Sequence, residues 1–459
     1  MAADSPDASA LTDRLRRGPY GRIWALSWPS ILSNLTVPML GAVDTAVMGH
    51  LPDPAYVGGV AVGAMVFSFL YWGFGFLRMG TMGFVAQALG REDGDEIRAI
   101  LARALMIGLA AAAVLMLAQV PLRILALAIL DAAPTVEAFA GAYFDTRIWG
   151  APATLANYAV LGWLLAMQYA RAALLTQIVV NGINAALDIW FVVELGMGVE
   201  GVALATVIAQ YSGASLGLAI IAMRLRTIPG GWSWAQIGKL SELAALFRVS
   251  RDIFLRTLAM IFAWSLLTWT GAKLGTTVLA ANALLMNFQS FLAHGLDGFA
   301  HATSALVGEA VGARNRRLLR DTVAAATFMA ACVALGYTAV YGLFGGQLLG
   351  LLTDIPELRA FAGDYLIWMA LSPLLSVWAY QLDGIFIGAT RATEMRNAML
   401  ASVAIYAAAM FSLPGFLGNH GLWAAVMLFM VVRALTLVVF YPRVERMLSE
   451  SPQSADTSI

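Results

Sequence analysis

Long apolar runs, cut by short polar stretches, dominate the pattern of this chain. A bilayer-spanning helix needs about 20 mostly apolar residues. Twelve segments meet that need, at roughly 23–50, 56–86, 96–119, 136–167, 172–195, 200–223, 246–272, 277–308, 320–343, 357–389, 397–416 and 421–441. Two further apolar stretches, 121–130 and 344–353, are too short to span and are predicted to lie at the membrane surface. Lys and Arg in the connecting loops set the orientation. With the N-terminus inside, the inner loops and tails collect twenty of them, from Arg14 to Arg446, and the outer side three, Arg123, Lys273 and Arg359. Both termini are therefore predicted to be cytoplasmic.

Composition agrees. The chain has 459 residues, 60% hydrophobic and 12% charged, with mean hydropathy +0.76. Soluble domains carry about 25% charged residues, so the expected class is an all-α integral membrane protein embedded in a lipid bilayer. The net charge of zero gives no basic field and no expectation of nucleic acid. The single cysteine, Cys332, excludes an intramolecular disulfide and a Cys-based metal cluster. The four histidines show no ligand spacing, so no metal is expected. The polar N-terminus has no apolar core before residue 23, so no cleaved signal peptide is expected and the first span serves as the targeting signal.

The chain also repeats. At an offset of 222, residues 54–90 fall on 276–312 without a gap: Gly73 meets Gly295, Thr81 meets Thr303 and Gly90 meets Gly312. The same offset lays Ala138–Gly141 on Ala360–Gly363, Tyr143 on Tyr365 and Gly162 on Gly384. An even number of spans per half gives both halves the same topology, related by an axis along the membrane normal. The expected organisation is a cytoplasmic tail at 1–22, a first half at 23–223, an inner linker at 224–245, a second half at 246–445 and a cytoplasmic tail at 446–459. Trp232, Trp234, Ile237 and Leu240 suggest an interfacial helix in the linker.

Polar groups inside the spans carry the candidate chemistry. A carboxylate in hydrocarbon costs about 2.5–3.5 kcal/mol on insertion scales and marks a functional site by default. Asn184 and Asp188 are four residues apart and share a helix face. Counting about 1.5 Å per residue places Asp44, Asp188 and Thr206 at similar depth in the outer half of the membrane. Clustered buried carboxylates cannot all stay ionised, so Asp44 and Asp188, with Asn184 and Thr206 sharing hydrogen bonds, form a candidate proton site. The alternative is a structural hydrogen-bond network. Against it, the offset of 222 sends Asp44, Asn184 and Asp188 to Leu266, Tyr406 and Met410, whereas a scaffold need should recur. Asp297 and Asp383 in the second half either line a path or serve as structural acids. Arg78 is expected to snorkel to the inner interface. Pro29 and Pro38 would kink the first span. The methionines and aromatics could line a pliable cavity, though most should face lipid or other helices.

Two soluble-enzyme motifs are discounted. Gly196-Met-Gly198-Val-Glu-Gly201 has dinucleotide-fingerprint spacing but lies between spans with no preceding strand. Gly213-Ala-Ser215-Leu-Gly217 resembles a hydrolase elbow but sits in an apolar helix without a histidine partner. Both look like helix-end and packing glycines. There is no phosphate-binding loop of the Walker type, so ATP is not expected to power this chain.

Trp28-Pro29 through Asn34, Val43-Asp44-Thr45 through His50, Phe76-Leu-Arg78-Met-Gly80 and Ala86-Gln87 through Gly90 together resemble the multidrug and toxic compound extrusion family, in its DinF-like branch. Leu296-Asp297-Gly298-Phe299-Ala300 and Leu382-Asp383-Gly384 extend the likeness into the second half, to about residues 20–445. The resemblance implies twelve helices in two pseudo-symmetric six-helix lobes, V-shaped, and a secondary transporter, not an enzyme, that exports amphipathic or cationic small molecules against an ion gradient. It implies that Asp44 is the first-helix proton acid, Asn184, Asp188 and Thr206 its partners, and Pro29 the point where the first helix bends. No cofactor is expected beyond the coupling ion, a proton or alternatively sodium. Sodium-coupled relatives use a seventh-helix acid, and 252–272 contain no Asp or Glu beyond Asp252 at the inner end. Asp383 matches the tenth-helix acid, which keeps second-lobe coupling open. Where DinF-like chains tend to carry a glutamate, this chain reads His301-Ala-Thr303-Ser304. A lipid-linked precursor flippase is the less favoured reading, since the spans show few basic residues, mainly Arg78. The expected setting is a monomer in the bacterial inner membrane.

Overall fold

The computed structural model describes residues 18–48, 54–130 and 132–448, with the side chains of 37–46, Met48 and Pro54 outside the description. Every regular element among these residues is helical, as a backbone in hydrocarbon must satisfy its polar groups within its own segment. The first half contains α1 (Pro19–Met48), α2 (Pro54–Trp72), α3 (Phe76–Gly90), α4 (Gly94–Leu117), α5 (Gln119–Leu130), α6 (Pro134–Arg147), α7 (Ala151–Ala166), α8 (Ala170–Asp188) and α9 (Gly198–Leu225). The four-residue α10 (Trp234–Ile237) lies in the linker. The second half contains α11 (Leu240–Lys273), α12 (Thr276–Gly312), α13 (Arg316–Leu352), α14 (Pro356–Gly363), α15 (Leu366–Gly388) and α16 (Ala392–Arg446).

These segments follow the twelve predicted spans. One 3-10 turn, Gly73–Gly75, interrupts α2 and α3, and another, Ile148–Gly150, interrupts α6 and α7. Within α16 the backbone leaves helical geometry at Gly418 (φ 56°, ψ −136°), which divides it between the two last predicted spans. Eight helices of the described residues are long and apolar enough to cross a membrane by length and composition alone.

The repeat extends to backbone detail. Among the described residues the non-glycine positions with positive φ are Glu92, Gln168, Arg314 and Thr390, two pairs at the offset of 222. Asp93 caps α4 by accepting from the Glu96 N–H, and Asn315 caps α13 by accepting from the Leu318 N–H, again at that offset. A Cβ on Gly162 would strike the Arg78 carbonyl, and one on Gly384 the Ala300 carbonyl. Both glycines therefore let helices approach closely at equivalent points, a common device where lipid offers no hydrophobic driving force.

Two expectations need correction. The stretch 344–353 is not a separate surface element but the end of the 37-residue α13. Its counterpart α5 is separate because Pro121 cannot donate an amide to the preceding turn and favours a new helix start. The linker forms only the single turn α10, with Trp232 and Trp234 exposed and Ile237 buried, and α11 already begins at Leu240.

Contacts divide the chain into two compact units. One is Leu32–Phe247; the other joins the segment ending at Ile31 to everything from Arg248 onward. The first unit packs Phe67, Tyr143, Phe144, Ile148 and Leu155 at its centre, with Phe67 and Phe144 stacked at 5.0 Å. The inter-half linker belongs to this unit and is held by two buried arginines of α4. Arg98 donates to the carbonyls of Gly94, Leu225, Ile228 and Pro229. Arg103 donates to those of Gln236 and Ile237 and pairs with Glu96. In the second unit α15 is the most enclosed spanning helix and meets α12, α13 and α16. There Asn282 and Asn419 exchange reciprocal amide bonds at 2.8 and 3.0 Å, and the Trp423 indole donates to Asn282.

Candidate functional site

The expected proton site falls within the unit Leu32–Phe247. α8 carries Asn184 and Asp188 on one face, and both are fully buried. The Asn184 amide nitrogen donates to Thr206 Oγ1 of α9 at 3.2 Å. That hydroxyl spends its own proton on the Val202 carbonyl at 2.9 Å, so it faces Asn184 as an acceptor. Asn184 Oδ1 has no hydrogen-bond partner among the described residues. The result is an oxygen-rich pocket deep in an apolar unit, with an open acceptor beside a buried carboxylate. The helix changes form directly after Asp188: Ile189–Glu194 is a π-turn, a local widening that recurs at functional sites.

The Asp44 side chain lies outside the described residues, but its backbone belongs to α1. Asn181 Nδ2 donates to the Thr36 carbonyl at 3.2 Å and ties α8 to α1. The first and fifth spans cross in the same sense. From this tie α1 climbs eight residues to Asp44 and α8 seven to Asp188, about 12 and 10 Å, so the two backbones reach the same level. Pro29 lies within helical α1, two residues ahead of the point where the units divide.

The second-half acids are not part of this cluster. Asp383, on α15, is buried and engaged by two buried guanidinium groups, Arg256 of α11 and Arg433 of α16, the latter at 2.7 Å. It is enclosed in an ion cluster of α11, α15 and α16. Asp297, on α12, is half-buried; Tyr380 stands within electrostatic reach of it and of the Asp383 cluster. Next to Asp297, a Cβ on Gly298 would strike Ile31, so the start of α1 and α12 are in contact there. In the His301-Ala-Thr303-Ser304 stretch all four residues are buried, and Thr303 donates to Gln381 at 2.8 Å. Among the described residues no cluster of His, Cys, Asp and Glu suits a metal ion.

The estimate of few intramembrane basic residues also needs correction. Arg147, Arg256 and Arg433 are buried, and sequence reading had singled out only Arg78. Arg433 stands alone in an apolar run, which was an available signal, whereas Arg147 and Arg256 follow Asp145 and Asp252 by two and four residues and read as ends of polar stretches. The discounted motifs resolve as anticipated. Gly196 and Gly198 adopt φ of +66° and +60° in the turn before α9, and Gly213 and Gly217 let α9 press on Val180 and Val160.

A family model, MatE, matches residues 29–190 and 253–413. The DNA damage-inducible protein F of Escherichia coli (strain K12) is 44% identical over 424 residues, covering 92% of each chain. The Multidrug and toxin extrusion protein 1 of Oryctolagus cuniculus is 23% identical over 433 residues, 91% of this chain and 74% of that protein. A crystal structure of MATE in the bent conformation superposes with a TM-score of 0.86 at 20% identity, covering 95% of this chain and 98% of that one. The helices, their internal repeat and these matches agree: the chain belongs to the MatE family, in its DinF-like branch, and is a multi-pass membrane transporter, not an enzyme.

Proposed function

We propose that the protein is a proton-coupled antiporter that exports amphipathic, including cationic, compounds across the bacterial inner membrane, with both termini cytoplasmic and the monomer as the working unit. The observation that carries this reading is the buried Asn184–Asp188–Thr206 pocket at the backbone level of Asp44. Burial and a neighbouring carboxylate both favour proton uptake on an acid. A protonated carboxyl gains a donor, and Asn184 Oδ1 offers the acceptor. Loading from outside would tie α1 to α8 and α9, and loss of the proton inside would release α1; Pro29 gives that helix a place to bend. Sodium coupling through the second half is disfavoured because two guanidinium groups already occupy Asp383.

The test uses purified protein in liposomes loaded with a cationic dye. An imposed pH gradient should drive dye movement, and Asp188→Asn and Asp44→Asn should each cut it about a hundredfold or more, the lower bound for loss of one positioned acid–base group. A sodium gradient should drive none. Movement driven by sodium and indifferent to both substitutions would overturn the reading.

A further inference from the structure

The unit Leu32–Phe247 holds a second polar cluster that the proton site does not use. Arg147 ends α6 and lies 13 residues, about 20 Å, beyond the start of a 33-residue interrupted helical segment, hence near mid-membrane. Its guanidinium is buried, with its centre 5.5 Å from both the Phe67 and the Tyr71 ring centroids. Its Nη1 has no hydrogen-bond partner. The adjoining Gly150 leaves it room: a Cβ there would lie 2.5 Å from Nη1. Asp145, two residues earlier, is taken by Arg123. Arg78 on α3 joins the cluster, since Tyr158 stands within electrostatic reach of Arg78, Arg147 and Tyr71. Among the described residues no carboxylate lies within ion-pair distance of Arg78 or Arg147. The offset of 222 sends them to Ala300 and Met369, so the repeat scaffold does not require them.

A desolvated guanidinium is costly to bury, and the two ring faces return only part of that cost. Contrast Arg256 and Arg433, which share a carboxylate. We propose that Arg147, supported by Arg78 and the Tyr71 and Tyr158 phenols, forms an anion subsite that receives a carboxylate or phosphate group of an amphipathic substrate. This deepens the transporter reading and rests on it only for the claim that the ligand is transported. A carboxylate suits the fork of Arg147, and the apolar body of the ligand suits the surrounding Phe67 and Tyr71 rings. The substrate range would then include amphipathic anions and zwitterions beside cations.

The test is direct binding to detergent-solubilised full-length protein by fluorescence anisotropy. The probes are one xanthene dye as its free carboxylate and the same dye as its ethyl ester. The wild-type protein should bind the carboxylate, and Arg147→Gln should weaken that binding about tenfold or more, as expected for loss of a hydrogen bond to a charged group. Arg147→Lys should recover part of it. The readout is the carboxylate-to-ester ratio of Kd, because partial unfolding weakens both dyes together. An unchanged ratio in Arg147→Gln, or no carboxylate binding by wild type, overturns the proposal. Adding phosphatidylglycerol identifies the anion's source: competition lost in Arg147→Gln assigns the subsite to a lipid headgroup, and absence of competition assigns it to the free dye class. Failure of the dyes to move in liposomes would count against the antiporter reading alone.

Discussion

Charged side chains in this protein separate by whether they have been given a partner. Asp383 has two. Removing a buried ion's partner typically costs about 3–5 kcal/mol, while replacing a whole buried cluster by apolar residues is often neutral. Asp383→Asn should therefore lower the thermal midpoint in detergent by several degrees through two uncompensated guanidinium groups. The triple substitution Arg256→Met, Asp383→Leu, Arg433→Met should regain most of it. A triple variant that is stable yet inactive in liposomes would show that the cluster serves transport as well as packing. Asp188 stands differently: it lies one helical turn from Asn184, whose side-chain oxygen is open. These two acids looked alike in the sequence, since each is a lone Asp in an apolar run. What marks Asp383 is the pair of distant arginines that the fold delivers to it, from α11 and α16.

At the scale of elements, the caps, breaks and glycines were readable because they act locally. Asp93 and Asn315 stop one helix and start the next through bonds spanning three residues. The reach of α13 was not readable: without a proline equivalent to Pro121, nothing divides 316–352, and apolar length alone had suggested two pieces. Nor was the latch on the linker. Arg98 reads as one more inner positive charge, yet it satisfies four carbonyls from two stretches of chain. Arg98→Ala would leave those carbonyls to water and free 225–229 from α4. Limited trypsin digestion should then cut after Arg226 at least about tenfold faster than in wild type, following the rise in the locally opened population; equal rates would mean the linker is held elsewhere.

For the whole molecule, the two halves share one scaffold but not one chemistry. Positive-φ residues, caps and close-approach glycines recur at the offset of 222. Asp188, Thr206, Arg147 and Asp383 meet Met410, Leu428, Met369 and, shifted back, Leu161. The proposed orientation rests on loop charge and can be checked with the single native cysteine removed. In Cys332→Ser, a cysteine at Gly231 should react with an impermeant maleimide only after the inner face is exposed, and one at Gly275 should react from outside in intact cells. The reverse pattern would invert the assigned topology.

The sequence by itself determined the membrane class, the span positions, the two-fold repeat and the shared helix face of Asn184 and Asp188, because hydropathy, helical periodicity and an unbroken offset are properties of neighbouring or evenly spaced residues. It could not say that Asn184 would meet Thr206, that Arg256 and Arg433 would converge on Asp383, or that Arg147 would be buried against aromatic rings without a carboxylate. Those outcomes join helices separated by 22 to 127 residues of chain, and only side-chain packing between helices decides which buried charge is neutralised and which is left for a ligand.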